Sequence, residues 1–285
     1  MARPPRLEIA GGLYHVMSRG NARRRIFSSD KDRSRFLQQL QDNLRNYHVV
    51  LYAYALMPNH YHILIKTERA NLSRFMQRLN TSYALYVHYK RGLVGHVLQG
   101  RYKAKLVETD EYLVSLSRYI HLNPTKTRGV QALGRAARAK ALEEYRWSSY
   151  LGYVSSAAAE GWVCYDLLRE FGQSRATARQ LYRAYVQACF LEDDGVLREA
   201  MRASRNAIGS QAYIRGIEET MKRQYQGMVS NRDLTLPAEH VDLAVIDEEV
   251  SREFGIRRED LQHHGRRVGE AKAFAMELAC RFTGL

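Results

Sequence analysis

Val49-Val50-Leu51-Tyr52-Ala53-Tyr54-Ala55-Leu56 is an unbroken apolar and aromatic run, and three residues later a second run begins, His60-Tyr61-His62-Ile63-Leu64-Ile65-Lys66. Runs of this length and composition read as buried strands. Pro58-Asn59 turns the chain between them, so the two pair as an antiparallel hairpin. Any fold of this chain has to accommodate that hairpin. Residues i and i+2 of a strand share a face, which puts His60 and His62 on one side and Tyr61 and Ile63 on the other. Two adjacent imidazoles begin a metal site. The alternative is a strand end with two polar residues facing solvent.

The flanking pattern alternates between strand and helix. Leu13 to Met17 alternate as a first strand within residues 12–19. Ser29-Asp30-Lys31-Asp32 offers caps for a helix whose apolar positions Phe36, Leu37, Leu40 and Leu44 keep the helical period to Tyr47. Asn71 caps another, with Leu72, Phe75, Met76, Leu79, Tyr83, Tyr86 and Val87 on its apolar face. Residues 101–107 alternate again, with a basic edge, and Thr109-Asp110 opens a helix that ends at Asn123-Pro124. The order β-α-β-β-α-β, then a helix, predicts an α+β domain: a ferredoxin-like (RRM-like) antiparallel sheet with helices on one face. On the last helix Tyr119 and Asn123 stand at i and i+4 and share a face.

Charge is confined to the same region. Residues 1–150 hold 26 Lys and Arg against 10 Asp and Glu, whereas residues 151–285 hold 18 against 20. An excess of that size, confined to one half, predicts a polyanionic partner, and nucleic acid is the usual one. The loop Arg19-Gly20-Asn21-Ala22-Arg23-Arg24-Arg25 and the strand residues Arg101, Lys103 and Lys105 are candidate phosphate contacts. His15 reads as packed or surface-bound rather than as a ligand.

Five segments in order, Tyr14-His15-Val16-Met17-Ser18-Arg19-Gly20-Asn21, Met57-Pro58-Asn59-His60-Tyr61-His62, Gln99-Gly100-Arg101-Tyr102-Lys103-Ala104, Tyr119-Ile120-His121-Leu122-Asn123-Pro124 and Trp147-Ser148-Ser149-Tyr150, resemble the REP-associated tyrosine transposases, a single-tyrosine group of the HUH nucleases. The resemblance covers about the first 150 residues; one departure is Leu98, where relatives carry an aromatic residue. It implies a metal-dependent endonuclease and transposase that cleaves and rejoins single-stranded DNA near hairpin, REP-like palindromic sequences. Tyr119 would be the nucleophile, forming a 5′-phosphotyrosine intermediate. His60, His62 and the side-chain oxygen of Asn123 would hold Mg²⁺ or Mn²⁺. Of the neighbours, His121 lies about 200° around the helix from Tyr119 and is disfavoured as a base. A hairpin- or repeat-binding regulator that has lost activity is the alternative reading; a rolling-circle initiator or an RNA-binding module fits the motifs less well.

Beyond Tyr150 the motifs thin out. The chain divides into the nuclease domain (1–155), an all-α extension (156–228) and a C-terminal domain (229–285). In the last, short helical stretches flank Arg266-Arg267 and lead to a helix containing Lys272. That order suggests a helix-turn-helix contacting duplex DNA through Arg266, Arg267 and Lys272; a helical dimerisation module is the alternative. Monomer and homodimer are both open. No stretch reaches the length of a membrane span, no secretory leader is expected from the first residues, and Cys164, Cys189 and Cys280 are too far apart for a zinc or disulfide framework. The expected location is cytoplasmic, with the nucleoid.

Overall fold

The computed structural model describes residues 6–92, 94–108, 111–190, 195–230, 242–262, 271, 272, 274–276 and 278. The chain forms two compact units, one of Met1–Asn80 with His96–Arg223 and one of Thr81–Gly95 with Gln224–Leu285.

The first unit is built on a sheet. Its elements begin β1 (Leu13–Arg19), α1 (Asp30–Tyr47), β2 (Val49–Met57), β3 (His60–Thr67), α2 (Leu72–Arg91), β4 (Lys103–Val107) and α3 (Glu111–His121). They continue α4 (Arg128–Gln131), α5 (Arg135–Glu143), α6 (Tyr150–Val154), α7 (Arg175–Ala188), α8 (Gly195–Ala203), β5 (Ala207–Ile208) and α9 (Gln211–Ser230). Helices α2 and α9 run across the division between the units. Strand order is β2-β3-β1-β4-β5. The first four strands are antiparallel neighbours in the arrangement expected from the sequence, and β5 joins β4 in parallel.

Local chemistry explains the main elements. Ser29 caps α1 through a reciprocal box: its hydroxyl accepts from the Asp32 amide, and the Asp32 carboxylate accepts from the Ser29 amide. The helix stops where His48 turns left-handed, at φ 53°. In β2 a bulge at Tyr52 shifts the register, so that Leu51 pairs with Ile65 but Ala53 with Leu64.

The sheet is covered on both faces. On one, Tyr61 packs on Phe36 of α1 and donates its hydroxyl to Asn80 of α2. The other face is covered by α3 and α8: Leu13, Ala53, Ala55, Leu64 and Val107 pack with Leu116, Ile120, Leu197 and Ala200. The sequence anticipates the first layer and not the second.

Both sheet edges are closed by residues beyond α3. Trp147 to Ser149 bond to β2: Leu56 N–H donates to the Trp147 carbonyl, and Ser149 N–H to that of Tyr54. The Trp147–Tyr150 motif thus covers an edge that would otherwise offer free backbone groups. On the opposite edge β5 adds a strand to the extension that the sequence reads as helical.

In the second unit, α10 (Leu243–Phe254) is capped by Asp242 and ends at Gly255 in the left-handed region. Ile246, Val250, Leu261, Ala271, Ala275 and Leu278 share a core with Leu85. Lys272 is half-buried. Arg266 and Arg267, and with them the turn of the expected helix-turn-helix, lie outside the described residues, as does Cys280. No helix among the described residues is long and apolar enough to cross a membrane.

Candidate active site

The register of the sheet builds the site. Residues directly opposite in antiparallel strands point to the same face. His60 lies opposite Arg19 and His62 opposite Met17, while His15 lies opposite Lys105 and Met17 opposite Lys103. The face that carries α3 therefore presents His15, Arg19, His60, His62, Lys103 and Lys105 together.

Helix α3 lays Tyr119 over these histidines. The Tyr119 ring is 6.0 Å from His62 and 5.9 Å from His15 between centroids, edge-on to both. His60 and His62 rings are 5.1 Å apart and nearly perpendicular. Thus Tyr119 meets the His60–His62 pair, more than fifty residues away in sequence.

Each histidine is oriented by a neighbour. His60 Nδ1 is 2.7 Å from the Asn59 side-chain oxygen, which can only accept, so Nδ1–H donates and Nε2 keeps its lone pair. His62 Nδ1 is 3.0 Å from His15 Nε2, with the two rings stacked at 5.2 Å. When His62 donates across that bond, its own Nε2 is the free ligating nitrogen. His15 is thus the partner through which that tautomer of His62 would be held. It is buried, as the sequence suggests for a packed residue, but its packing partner is the site itself.

Asn123 opens the 3₁₀ turn Asn123–Lys126 that follows α3. Its amide nitrogen donates to the Tyr119 carbonyl at 2.9 Å and to that of Ile120 at 3.3 Å. This leaves its oxygen as the side-chain atom suited to a cation. Two imidazoles with Nε2 available and one amide oxygen are a donor set that fits a divalent ion. No cluster of three His, Cys, Asp or Glu side chains suited to a metal occurs among the described residues.

The electrostatics keep the imidazoles neutral. Burial, then the Arg19 guanidinium, lowers His60 to about 4. Burial, then Lys105 and Lys126, lowers His15 to about 4. His62 is pushed well below its ordinary value by burial, with His15, His60, Lys126 and Arg19 adding to it. Burial raises the Tyr119 phenol, and nearby Arg19 opposes that rise. The Lys126 ammonium lies 3.7 Å over the Tyr119 ring.

The remaining candidates divide. Arg23, Arg24 and Arg25 are exposed, and the Arg23 carbonyl accepts from the Asn59 amide, which ties the basic loop to the β2–β3 turn. Asn21 is exposed in a 3₁₀ turn, and its backbone N–H donates to the Val97 carbonyl. Arg101 and Lys103 are exposed near the end of β4. The Lys105 ammonium is instead committed to the carbonyls of Met201 and Ser204, the latter at 2.7 Å. His121 is remote from the site's chemistry: it is fully buried, with Nδ1 2.7 Å from the Tyr182 hydroxyl and Nε2 2.8 Å from that of Ser149. Sequence reasoning underrates His15 and Lys126. The only available signal was the placement of His15 two residues before Met17 on an adjacent strand, which means nothing until the register is known.

Residues 9–123 match the family model described as "Transposase IS200 like". A solved structure described as "Structure of the REP associates tyrosine transposase bound to a REP hairpin" has 16% identity and a TM-score of 0.44, over 58% of this chain and 90% of that chain. No curated protein matches. His15, Arg19, His60, His62, Lys105, Tyr119 and Asn123 all fall inside the segment that is similar to the IS200-like transposases.

Proposed function

We propose that this protein is a single-strand DNA endonuclease and strand transferase whose nucleophile is Tyr119. The observation that carries the reading is the meeting of Tyr119 with the His60–His62 pair on one sheet face, inside the transposase-like segment. The substrate we assign is single-stranded DNA beside a hairpin, following the resemblance of the five sequence segments to the REP-associated group.

The chemistry follows from the side chains. The Tyr119 hydroxyl oxygen forms a bond to the scissile phosphorus as the bond from phosphorus to the 3′ oxygen breaks. One fragment leaves with a 3′-OH, and the other stays as a 5′-phosphotyrosine. One phosphodiester replaces another, so a 3′-OH can reverse the step and join strands. The phenol is neutral at rest, burial holding it further above its ordinary value, and its proton has to leave during attack. Arg19 supplies positive charge to the Tyr119 phenolate, and Lys126 lies over its ring. His60, His62 and Asn123 would hold Mg²⁺ or Mn²⁺, which would supply Lewis-acid polarisation of the phosphate. His15 and Asn59 hold the two imidazoles in the tautomer that leaves Nε2 available.

Peptide mapping tests the assignment. The protein is incubated with hairpin-flanked single-stranded DNA and Mn²⁺, digested with nuclease and protease, and analysed by mass spectrometry. A nucleotide mass on the peptide containing Tyr119 is expected. A nucleotide on another tyrosine, or cleavage with no adduct at any substrate tried, would contradict it.

A further inference from the structure

Arg19 ends β1 on the face that carries the histidines and lies directly opposite His60. Opposite residues on one face bring their Cβ atoms to about 5 Å. The backbone there is held from both sides. The Arg19 carbonyl accepts from the Gln99 N–H at 2.8 Å, and the next N–H, that of Gly20, donates to the Asn59 carbonyl at 2.8 Å. A Cβ on Gly20 would clash with the Arg24 carbonyl oxygen, so glycine lets the chain turn sharply straight after Arg19. The Arg19 side chain is thus carried on a braced strand end rather than on the exposed loop that follows.

The cations near Tyr119 are not equivalent. Lys103 is exposed, Lys105 is committed to two carbonyls, and Lys126 lies over the Tyr119 ring. Arg19 is half-buried with its Nε shielded from solvent, and its side chain makes no hydrogen bond or ion pair among the described residues. A shielded donor without an acceptor is costly. The site feels its charge: after burial, Arg19 is among the groups that lower His60 and His62, and it opposes the rise of the Tyr119 phenol. The same repulsion would act on a divalent ion between the imidazoles, so a guanidinium here becomes favourable when an anion lies between the two charges. A phosphodiester has two non-bridging oxygens, one for each cation, and the planar guanidinium fork matches it. We infer that Arg19 is a catalytic residue that grips a non-bridging oxygen of the phosphodiester attacked by Tyr119. There it stabilises the charge that builds as the tyrosine oxygen bonds to phosphorus and the 3′ oxygen leaves. That this phosphate is the scissile one rests on Tyr119 being the nucleophile; the phosphate contact itself does not.

Two readouts on the full chain separate contact from catalysis. In ¹H–¹⁵N spectra the Arg19 Nε–H resonance, assigned by its loss in Arg19→Lys, is followed as hairpin-flanked single-stranded DNA is added. A shift is expected, and no change at saturating DNA would overturn the contact. Single-turnover cleavage is then measured for Arg19→Gln, with folding checked by thermal melting. A loss of roughly 100-fold is expected, the usual effect of removing one donor to a developing oxyanion. On a substrate whose scissile phosphate is a methylphosphonate, which lacks one charged oxygen, the loss should shrink by about tenfold for one of the two stereoisomers. A purely structural role would give the same loss on both substrates, and that result, or full activity on the phosphodiester, would overturn the proposal. Should the glutamine variant not fold, Arg19→Lys keeps the charge and loses the paired donors. It is expected to lose roughly tenfold, and activity equal to the parent would overturn the clamp. The adduct is read separately. A shifted Arg19 resonance with the nucleotide on another tyrosine would sink the nucleophile assignment alone, and a Tyr119 adduct with an unmoved Arg19 resonance would sink Arg19 alone.

Discussion

His15 is placed to govern which ring nitrogen its neighbour His62 leaves open, and so its proposed ligation. Its Nε2 lies 3.0 Å from His62 Nδ1, and both rings are buried and neutral. Removing such an outer partner of a ligating histidine typically costs 10–100-fold in metal affinity. His15→Ala is therefore expected to weaken Mn²⁺ binding by about that factor in electron paramagnetic resonance titrations, with the melting transition retained. ¹⁵N chemical shifts should show His62 losing its preference for the Nδ1–H tautomer. Unchanged affinity and tautomer would reduce His15 to core packing. Tyr119 carries a second expectation. Burial raises its phenol, so the reactive phenolate is a minor species at neutral pH. Single-turnover cleavage should accelerate with pH through the neutral and mildly alkaline range, and a flat profile would show that proton removal is not part of the limiting step. The His60–His62 pair was legible because two residues apart on a strand always share a face. His15 was not, because its role exists only once β1 pairs with β3 in this register.

At the level of elements, the extension completes the sheet. Strand β5 is two residues long and pairs only with β4. No local pattern announces a strand that short, since its stability comes from the edge it joins. The segment Gly209-Ser210 that follows is explained by Glu108. Its carboxylate accepts from the Ser210 amide and, at 3.1 Å, from the Ser210 hydroxyl, at the start of α9. A Cβ on Gly209 would lie 2.7 Å from the Glu108 Cβ and 2.8 Å from the Tyr213 ring. Gly209→Ala is therefore expected to destabilise the protein by about 1–3 kcal/mol in urea unfolding, the usual cost of overpacking. A stability change near zero would show that α9 shifts freely away from β4. The motif Trp147-Ser148-Ser149-Tyr150 was legible as a signature but not as a device. Its use, bonding to the free edge of β2, depends on a strand some ninety residues earlier.

The molecule as a whole should be sensitive to acid. His121 bridges α3, α6 and α7 by accepting from or donating to hydroxyls at both ring nitrogens, and burial lowers it to about 3. An unfolded histidine takes up its proton near 6.5. Between about pH 6.5 and pH 3 the unfolded chain binds the proton and the folded chain does not, so stability is lost as pH falls through that window. Urea midpoints should drop on going from pH 7 to pH 4.5, with His15, His60 and His62 contributing in the same direction, and His121→Gln should make that drop smaller; equal slopes in both proteins would contradict the assignment. The positive charge of the first 150 residues was legible from composition, but that Arg19, Lys103 and Lys105 share a face with the histidines was not, because it depends on strand register. The central claim is that one sheet face brings a nucleophilic tyrosine to a pair of ligating histidines. The most direct measurement is a denaturing gel of the protein with end-labelled hairpin-flanked single-stranded DNA and Mn²⁺, run beside Tyr119→Phe and His60→Ala. A denaturant-resistant protein–DNA band in the parent that disappears in both variants is the predicted result. Cleavage that persists in Tyr119→Phe would contradict it and assign the attack to water.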